Sequence, residues 1–224
     1  MLPTYLGASI VELPIWALLF YLRSDLRHKM IYMGFLTALV GFTDPLFIPQ
    51  YYNPVYFDKT VFLRVDFFVI LFSFLFGGIA SVIYEEVMRR KARKSSKHPL
   101  LKYLIFIGPI LFLFLHRLTD LNTIYVLLIA TLSMLTVVLL SRKDLLFDAL
   151  LSGLFMGTLY AVLLGLYIFV FPDQLKIWNF NSFPQILVIN VPHFEIIWGF
   201  MTGAFLGPFY EFSHNLIVVK MEKK

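Results

Sequence analysis

The sequence predicts an all-α integral membrane protein, a seven-helix bundle built from two parallel three-helix repeats joined by an extra helix. The chain of 224 residues is 59% hydrophobic, has a mean hydropathy of +0.80 and carries only 15% charged residues. A soluble domain of this length has a larger charged fraction. Several apolar runs approach or exceed the length of about 20 residues that a helix needs to cross the hydrocarbon core of a bilayer.

Seven apolar runs are predicted to cross the membrane. They cover residues 5–22, 30–49, 61–84, 101–116, 122–141, 145–171 and 184–212. Basic residues concentrate in alternate loops and the tail, namely Arg23, Arg27, Lys29, Arg89, Arg90, Lys91, Arg93, Lys94, Lys97, Lys102, Arg142, Lys143, Lys220, Lys223 and Lys224. The opposite loops hold only Lys59, Arg117 and Lys176. The positive-inside rule therefore predicts a multi-pass protein of the cell membrane with its N-terminus outside and its C-terminus in the cytoplasm.

The two halves resemble each other without gaps at an offset of 126 positions. The matching residues are Asn53, Phe57, Val65, Phe68, Ile70, Phe74, Gly77, Tyr84 and Glu85 with Asn179, Phe183, Val191, Phe194, Ile196, Phe200, Gly203, Tyr210 and Glu211. Both sets of three spans begin outside, so the repeats are parallel. The predicted division is 1–95 for the first repeat, 96–120 for a linker with span 4, and 121–224 for the second repeat.

Composition and motifs exclude several classes of chemistry. The absence of cysteine removes disulfides and thiolate metal sites. There is no glycine-rich phosphate loop, no metal-binding His/Glu spacing and no serine nucleophile motif, so we expect no metal and see no cofactor-binding motif. Whether a flavin is required stays open. The net charge of +5 lies in a few loops, which indicates membrane orientation rather than nucleic-acid binding. The bilayer is the expected partner.

Two loop features each have two interpretations. The basic linker Arg89–Lys97 is a topology signal or a contact for anionic lipid headgroups. The external segment Pro49–Pro54 and the aromatic Trp178 favour anchoring at the headgroup level. The alternative is that these external loops cap the mouth of a lipid pocket.

Ionisable residues inside the predicted spans are the candidate site, because such a residue costs at least about 2.5–3.5 kcal/mol at membrane depth. The leading catalytic candidates are Glu195, Asp66 and His193. Under the repeat Asp66 is equivalent to Pro192, three positions before Glu195, so both acids lie on similar faces of related helices. We expect the two carboxyls to share an apolar cavity between spans 3 and 7, where burial would keep one protonated. The alternatives are that Arg64 pairs with Asp66 and that His193 bonds a carbonyl.

Six further residues could support the site: Glu12, Asp44, Tyr84, Glu85, Tyr210 and Glu211. The pairs Tyr84-Glu85 and Tyr210-Glu211 recur near the cytoplasmic ends of spans 3 and 7, where a salt bridge or a helix-end role is favoured over chemistry. Glu12 stands before Pro14, and Asp44 before Pro45. Each of these two acids either satisfies polar backbone groups at a kink caused by the proline or takes part in chemistry.

These residues resemble the small membrane lycopene cyclase domain, found as heterodimeric bacterial cyclases, fused archaeal cyclases and the cyclase half of fungal bifunctional enzymes. The similarity lies in Phe72–Ala80 with Tyr84-Glu85, in Pro192–Glu195 with Gly203–Glu211, and in Pro49–Pro54, and covers both halves. The resemblance implies cyclisation of a linear carotenoid end: an acid protonates the terminal alkene, a six-membered ring closes, and a base removes a proton.

The acidic motif of the family, Pro-x-Glu-Glu/Asp, is only partly present. The second half reads Pro192-His193-Phe194-Glu195 and keeps the last acid, whereas the first half reads Arg64-Val65-Asp66-Phe67. The resemblance thus implies Glu195 as the acid and Asp66 as its partner. It also implies a hydrophobic isoprenoid substrate and an oligomer with itself or with carotenoid enzymes.

Two other functions fit the sequence. One is a non-catalytic membrane protein that binds isoprenoid lipid or a partner subunit. The other is a proton-coupled transporter, which would need its embedded acids to connect to water on both sides of the membrane.

Overall fold

The computed structural model of the chain describes residues 3–57, 65–94 and 104–221, and these are mostly helical. Within them lie seven α-helices: α1 (Thr4–Leu22), α2 (Arg27–Gly41), α3 (Phe67–Val87), α4 (Leu104–Leu118), α5 (Thr123–Ser141), α6 (Leu146–Val170) and α7 (His193–His214). Four stretches are long and apolar enough to cross a membrane, namely Thr4–Leu22, Phe67–Val87, Thr123–Ser141 and Lys143–Val170. These helices are compatible with a membrane location.

The last helix begins at His193, later than the predicted start near residue 184. The preceding residues form a small hairpin of β2 (Leu187–Val188) and β3 (Val191–Pro192). Its turn residues Ile189 and Asn190 have φ angles of 53° and 61°, which a right-handed helix does not allow. Pro192 is the N-cap of α7. Pro192 and His193 therefore stand at the start of the helix, not inside it.

A second small sheet replaces part of the predicted linker and tail. Strand β1 (Arg90–Lys94) pairs antiparallel with β4 (Leu216–Lys220). The remainder of the linker, 95–103, lies outside the described residues, as do Lys223 and Lys224. The described chain is therefore mostly helical, as expected, with two two-stranded sheets outside the helices.

Two contacts each join a residue of the first half to the residue that lies 126 positions later in the chain. In the β1–β4 pair Ala92 lies opposite Val218, and an isolated bridge joins Tyr52 to Trp178. Reciprocal backbone hydrogen bonds flank this bridge: Asn53 N to Ile177 O at 2.7 Å and Asn179 N to Tyr51 O at 2.9 Å. Pairing between equivalent positions is the pattern of a self-complementary interface.

Two buried arginines end α1 and α5 in the same manner. Arg23 donates from Nη2 to the carbonyl of Arg90 at 2.7 Å, and Arg142 donates from Nη2 to that of Leu216 at 2.8 Å. Each accepting carbonyl belongs to the first residue of its strand. The C-terminal ends of α1 and α5 therefore lie on the same side of the molecule, against the β1–β4 sheet.

The helices approach closely where glycine permits it. A Cβ at Gly203 of α7 would lie 2.5 Å from the Cβ of Met156 and 2.7 Å from the carbonyl oxygen of Ser152, both on α6. Small residues let helix backbones meet where lipid offers no hydrophobic driving force. Between the halves, Phe76 of α3 packs on Trp198 of α7 with ring centroids 4.5 Å apart. This aromatic contact adjoins the site.

Candidate functional site

A cavity of about 260 Å³ lies within the bundle, and all seven helices contribute to its lining. The lining is mostly apolar and aromatic, and it includes Phe72, Phe76 and Trp198, whose rings pack against one another. Two carboxylates, Asp44 and Glu195, reach it. A mainly apolar cavity with a few convergent polar groups is the usual form of a small-molecule site.

Glu195 lies in the first turn of α7 and is held by three neutral donors. Its Oε1 accepts hydrogen bonds from the hydroxyl of Tyr51 at 2.7 Å and from the indole Nε1 of Trp178 at 2.9 Å. Its Oε2 accepts from the hydroxyl of Tyr160 on α6 at 2.9 Å. Glu195 is 8% exposed. Donors from both halves of the chain thus converge on one buried carboxyl.

Asp44 is the second carboxyl of the cavity, and it is held in the same way. It opens a short 3₁₀ helix, Asp44–Phe47, which follows the end of α2, and it is 5% exposed. The hydroxyls of Tyr5 and Tyr52 donate to its Oδ1, and that of Tyr56 donates to its Oδ2. Hydroxyl groups bonded to a carboxylate form short, charge-assisted hydrogen bonds.

The adjacent residues Tyr51 and Tyr52 serve different carboxyls. Both lie in the connection between α2 and α3, Tyr51 bound to Glu195 and Tyr52 to Asp44. Burial, followed by the charge of the neighbouring carboxylate, raises the pKa of Tyr51 and of Tyr52 well above the usual range for tyrosine. Both hydroxyls therefore stay protonated at physiological pH and act as donors.

No described basic side chain forms an ion pair with Asp44 or Glu195. Burial in an apolar cavity favours the protonated form of a carboxyl, whereas three donated hydrogen bonds favour the charged form. With these effects opposed, each carboxyl can hold or release a proton without a permanent cation beside it. The pair is suited to proton transfer with an apolar ligand and to balancing a transient positive charge.

Asp66 is not the partner that the sequence predicted for Glu195 in the cavity. Its side chain turns back on its own helix, where Oδ1 accepts from the backbone N–H of Phe68 at 2.8 Å as the N-cap of α3. Its Oδ2 accepts from the backbone N–H of Phe57 at 2.5 Å. Asp66 does not line the cavity; Asp44 joins Glu195 there instead. The alternative partner Arg64 lies outside the described residues.

His193 also stays outside the cavity lining. Its Nδ1 donates to the carbonyl oxygen of Ile186 at 3.1 Å, and its backbone N–H donates to the same oxygen at 3.0 Å. The histidine closes the hairpin onto the start of α7. This is the carbonyl-bonding alternative noted from the sequence.

A buried ionic cluster lies at the other end of the bundle. Nζ of Lys29 is 2.5 Å from Oε1 of Glu85 and 2.7 Å from Oε2 of Glu211, and it donates to the carbonyl of Gly207 at 3.1 Å. The sequence placed Lys29 in a loop as a topology residue, but it is 3% exposed within α2. The lysine therefore bridges Glu85 and Glu211, which occupy matching positions, 126 residues apart, in the two halves of the sequence.

The remaining candidate residues lie apart from both carboxyls. Tyr84 is buried in α3, and the hydroxyl of Tyr210 is 2.9 Å from Nδ1 of His28. Glu12 is buried in α1 and does not line the cavity.

Sequence reasoning missed the donors of the site. Tyr51 and Trp178 fall in the external aromatic segments, where interfacial anchoring was favoured, but both turn inward to bind Glu195. Their position supports the alternative in which these segments close the end of a lipid pocket. Tyr5 and Tyr160 carried no local signal, because an aromatic residue in an apolar helix looks the same whichever way it faces.

A family model described as lycopene cyclase matches residues 122–213. The match runs from the start of α5 almost to the end of α7 and includes Tyr160, Trp178 and Glu195. This half of the chain is similar to lycopene cyclases, as a divergent member would be, which confirms the resemblance inferred from the sequence. No curated protein and no solved structure matches the chain.

Proposed function

We propose that this protein is a lycopene cyclase-like isomerase of the cell membrane, which closes a ring at the end of a linear carotenoid or a related isoprenoid. The observation that carries the proposal is the pair of buried carboxyls, Glu195 and Asp44, each held by three neutral donors in an apolar cavity. The lycopene cyclase match over residues 122–213 supports the same reaction.

The reaction adds one proton and removes another, so the product is an isomer of the substrate. Glu195 in its acid form protonates the terminal alkene, which leaves a tertiary carbocation. The π electrons of an internal double bond then form the new carbon–carbon bond and close the six-membered ring. Loss of a neighbouring C–H proton to a carboxylate restores an alkene. The apolar walls exclude water, which would otherwise trap the cation.

Asp44 is the better candidate for the proton-accepting carboxylate. All three of its donors are hydroxyls, which bind a carboxylate with short hydrogen bonds and stabilise its charged form. An anion held in an apolar cavity also offsets the charge of a developing cation. Glu195 corresponds to the last acid of the family motif and takes the role of proton donor.

We propose further that the seven helices form two parallel three-helix halves, α1–α3 and α5–α7, joined by α4, with the cavity between them. The pairing of equivalent positions at Ala92 and Val218 and at Tyr52 and Trp178 supports this architecture. The similar ends of α1 and α5, at Arg23 and Arg142, support it as well. The orientation predicted from the loops places the two carboxyls toward the outer side.

The test is expression in cells that accumulate lycopene, followed by extraction and chromatography of the pigments. Inserted wild-type protein should convert lycopene to a cyclised isomer. Glu195→Gln and Asp44→Asn should each abolish the conversion, whereas the control Asp173→Asn removes an exposed carboxylate and should leave it intact. The proposal fails if correctly inserted wild-type protein yields no cyclised pigment. Lycopene that copurifies unchanged would favour a non-catalytic isoprenoid-binding protein.

A further inference from the structure

Three aromatic side chains of the cavity, Phe72, Phe76 and Trp198, form one packed surface, the aromatic wall. Phe76 of α3 packs on Trp198 of α7 with ring centroids 4.5 Å apart. The ring of Phe72 lies 5.7 Å from that of Phe76 and 6.4 Å from that of Trp198. All three side chains line the cavity. Ring–ring packing between α3 and α7 therefore fixes this side of the cavity.

One end of the aromatic wall adjoins the proposed proton donor. The ring of Trp198 lies 5.2 Å from that of Tyr160, whose hydroxyl donates to Oε2 of Glu195 at 2.9 Å. Tyr160 also meets Phe76 edge to face at 5.4 Å. Trp198 follows Glu195 by three positions on α7, a spacing that puts both side chains on one face of the helix.

The other end of the aromatic wall adjoins the proposed proton acceptor. The ring of Phe72 lies 5.5 Å from that of Tyr5, and the hydroxyl of Tyr5 donates to Asp44. Tyr5 and Asp44 line the same cavity. The aromatic wall thus runs from the carboxyl that would give a proton to the carboxyl that would receive one.

The cavity offers carboxyls and π electrons to a ligand, but no positive charge. Its described lining contains no lysine, arginine or histidine. The face of an aromatic ring carries negative potential and attracts a cation, most strongly in tryptophan and in a site from which water is excluded. Aliphatic side chains would pack a neutral hydrocarbon equally well, so this lining suits a ligand that becomes positive.

We propose that the aromatic wall binds the tertiary carbocation through cation–π contacts, with Trp198 contributing most, and that the cavity is a binding site for apolar cations. The inference rests on the proposed function, in which protonation by Glu195 leaves this cation. The rings form and break no bond. They lower the free energy of the cation while it lies between Glu195 and Asp44, which speeds ring closure.

The kinetic test replaces Trp198 with tryptophans that carry increasing numbers of ring fluorines, which withdraw π electron density and nearly preserve the shape of the side chain. Single-turnover ring closure of lycopene in lipid nanodiscs should slow with each fluorine, by about 30-fold over the series. Trp198→Leu should slow it at least as much, whereas Trp198→Phe keeps an aromatic face and should lose less. A rate that stays constant along the fluorinated series overturns the inference.

The matched control is the same fluorination at Trp16, which packs on Phe20 and Phe74 and does not line the cavity. Ring closure should keep its wild-type rate along the Trp16 series. An equal loss in the Trp16 and Trp198 series would assign the effect to packing and overturn the cation–π contact.

A binding test does not depend on catalysis. The protein in zwitterionic nanodiscs is titrated with a short isoprenoid chain that ends in trimethylammonium, and with the neutral analogue in which carbon replaces the nitrogen. Wild type should prefer the cation, and this preference should fall along the fluorinated Trp198 series while affinity for the neutral analogue stays constant.

The two tests separate failure of the inference from failure of the proposed reaction. Equal affinity for the two probes, or a preference that fluorination leaves unchanged, contradicts the cation site even if lycopene is cyclised. If wild type closes no ring but its preference for the cation follows the fluorinated series, the reaction is refuted and the cation site is supported.

Discussion

The hydroxyl of Tyr51 donates a hydrogen bond of 2.7 Å to Oε1 of Glu195, across 144 positions of the chain. Tyr51 belongs to the connection after α2, and Glu195 to the first turn of α7. One bond therefore ties the connection between α2 and α3 to the candidate acid of α7. The same loop supplies Tyr52 to Asp44, so both carboxyls depend on how it folds inward.

Tyr51→Phe should weaken the site without disturbing its packing. A hydrogen bond between neutral groups contributes about 0.5–1.5 kcal/mol, and its removal leaves Glu195 with two donors. We expect a lower free energy of unfolding in mixed micelles and reduced cyclisation. Tyr21→Phe, at a side chain that is 77% exposed, is the matched control. In a double-mutant cycle with Glu195→Ala, which removes the accepting oxygens, the two effects should not add; strict additivity would refute the bond.

Asp66 should tolerate asparagine better than alanine. Asparagine is as good an N-cap as aspartate, whereas alanine costs about 1 kcal/mol. Asparagine keeps the acceptor for Phe68 N–H but presents an NH₂ group to Phe57 N–H, so we expect Asp66→Asn to unfold at a midpoint between those of wild type and Asp66→Ala, and to keep cyclisation. Loss of cyclisation in stably inserted Asp66→Asn would instead favour the pairing of Asp66 with Glu195 suggested by the sequence.

Lys29→Met should strongly destabilise the protein. It leaves Glu85 and Glu211 buried without their cation, and breaking a buried ion pair in this way costs about 3–5 kcal/mol. The readout is the yield of folded protein and its unfolding midpoint in detergent. The triple variant Lys29→Met, Glu85→Gln and Glu211→Gln should recover part of the loss, because the two glutamates that pair with Lys29 are then neutral.

The control for this cluster is Lys176→Met, which removes an exposed partner of Asp173. Surface ion pairs are screened by water and salt, so this variant should unfold at the wild-type midpoint. If Lys29→Met is equally harmless, the buried cluster does not stabilise the bundle.

Single cysteines should report the orientation of the chain. The protein has no native cysteine, so Ser24→Cys in the loop between α1 and α2 and Ser182→Cys in the loop between α6 and α7 are each unique labelling sites. Both serines are exposed. A membrane-impermeant maleimide added to intact cells should label position 182 and reach position 24 only after lysis. The reverse pattern would invert the topology derived from the basic loops.

The helices were largely predictable from sequence, because each follows from a local property. Apolar length located α1, α5 and α6 within a few residues. The end of α2 and the start of α7 were predicted less accurately. Asp44-Pro45 follows α2 and the turn at Ile189 and Asn190 precedes α7, and each breaks the helical backbone inside an apolar segment. Hydropathy measures burial in lipid or protein and does not register a change of backbone conformation.

The candidate site was only half predictable. Glu195 was identified because a lone acid in an apolar run is costly, which is a property of the sequence itself. Its partner was assigned to Asp66 by equivalence under the repeat, but an equivalent position does not determine side-chain direction. The first residue of a helix can turn its carboxyl back to cap its own backbone, and Asp66 does so.

The sequence by itself determined an apolar, mostly helical protein with costly acids in its apolar segments, and predicted its orientation and two related halves, because composition and spacing carry that information. Only the tertiary structure decided which acids share a cavity, which tyrosines bind them, and that Lys29 is buried between Glu85 and Glu211. These relationships join side chains from distant segments. They depend on how helices and loops pack, and a hydrogen bond across 144 residues leaves no local trace in the sequence.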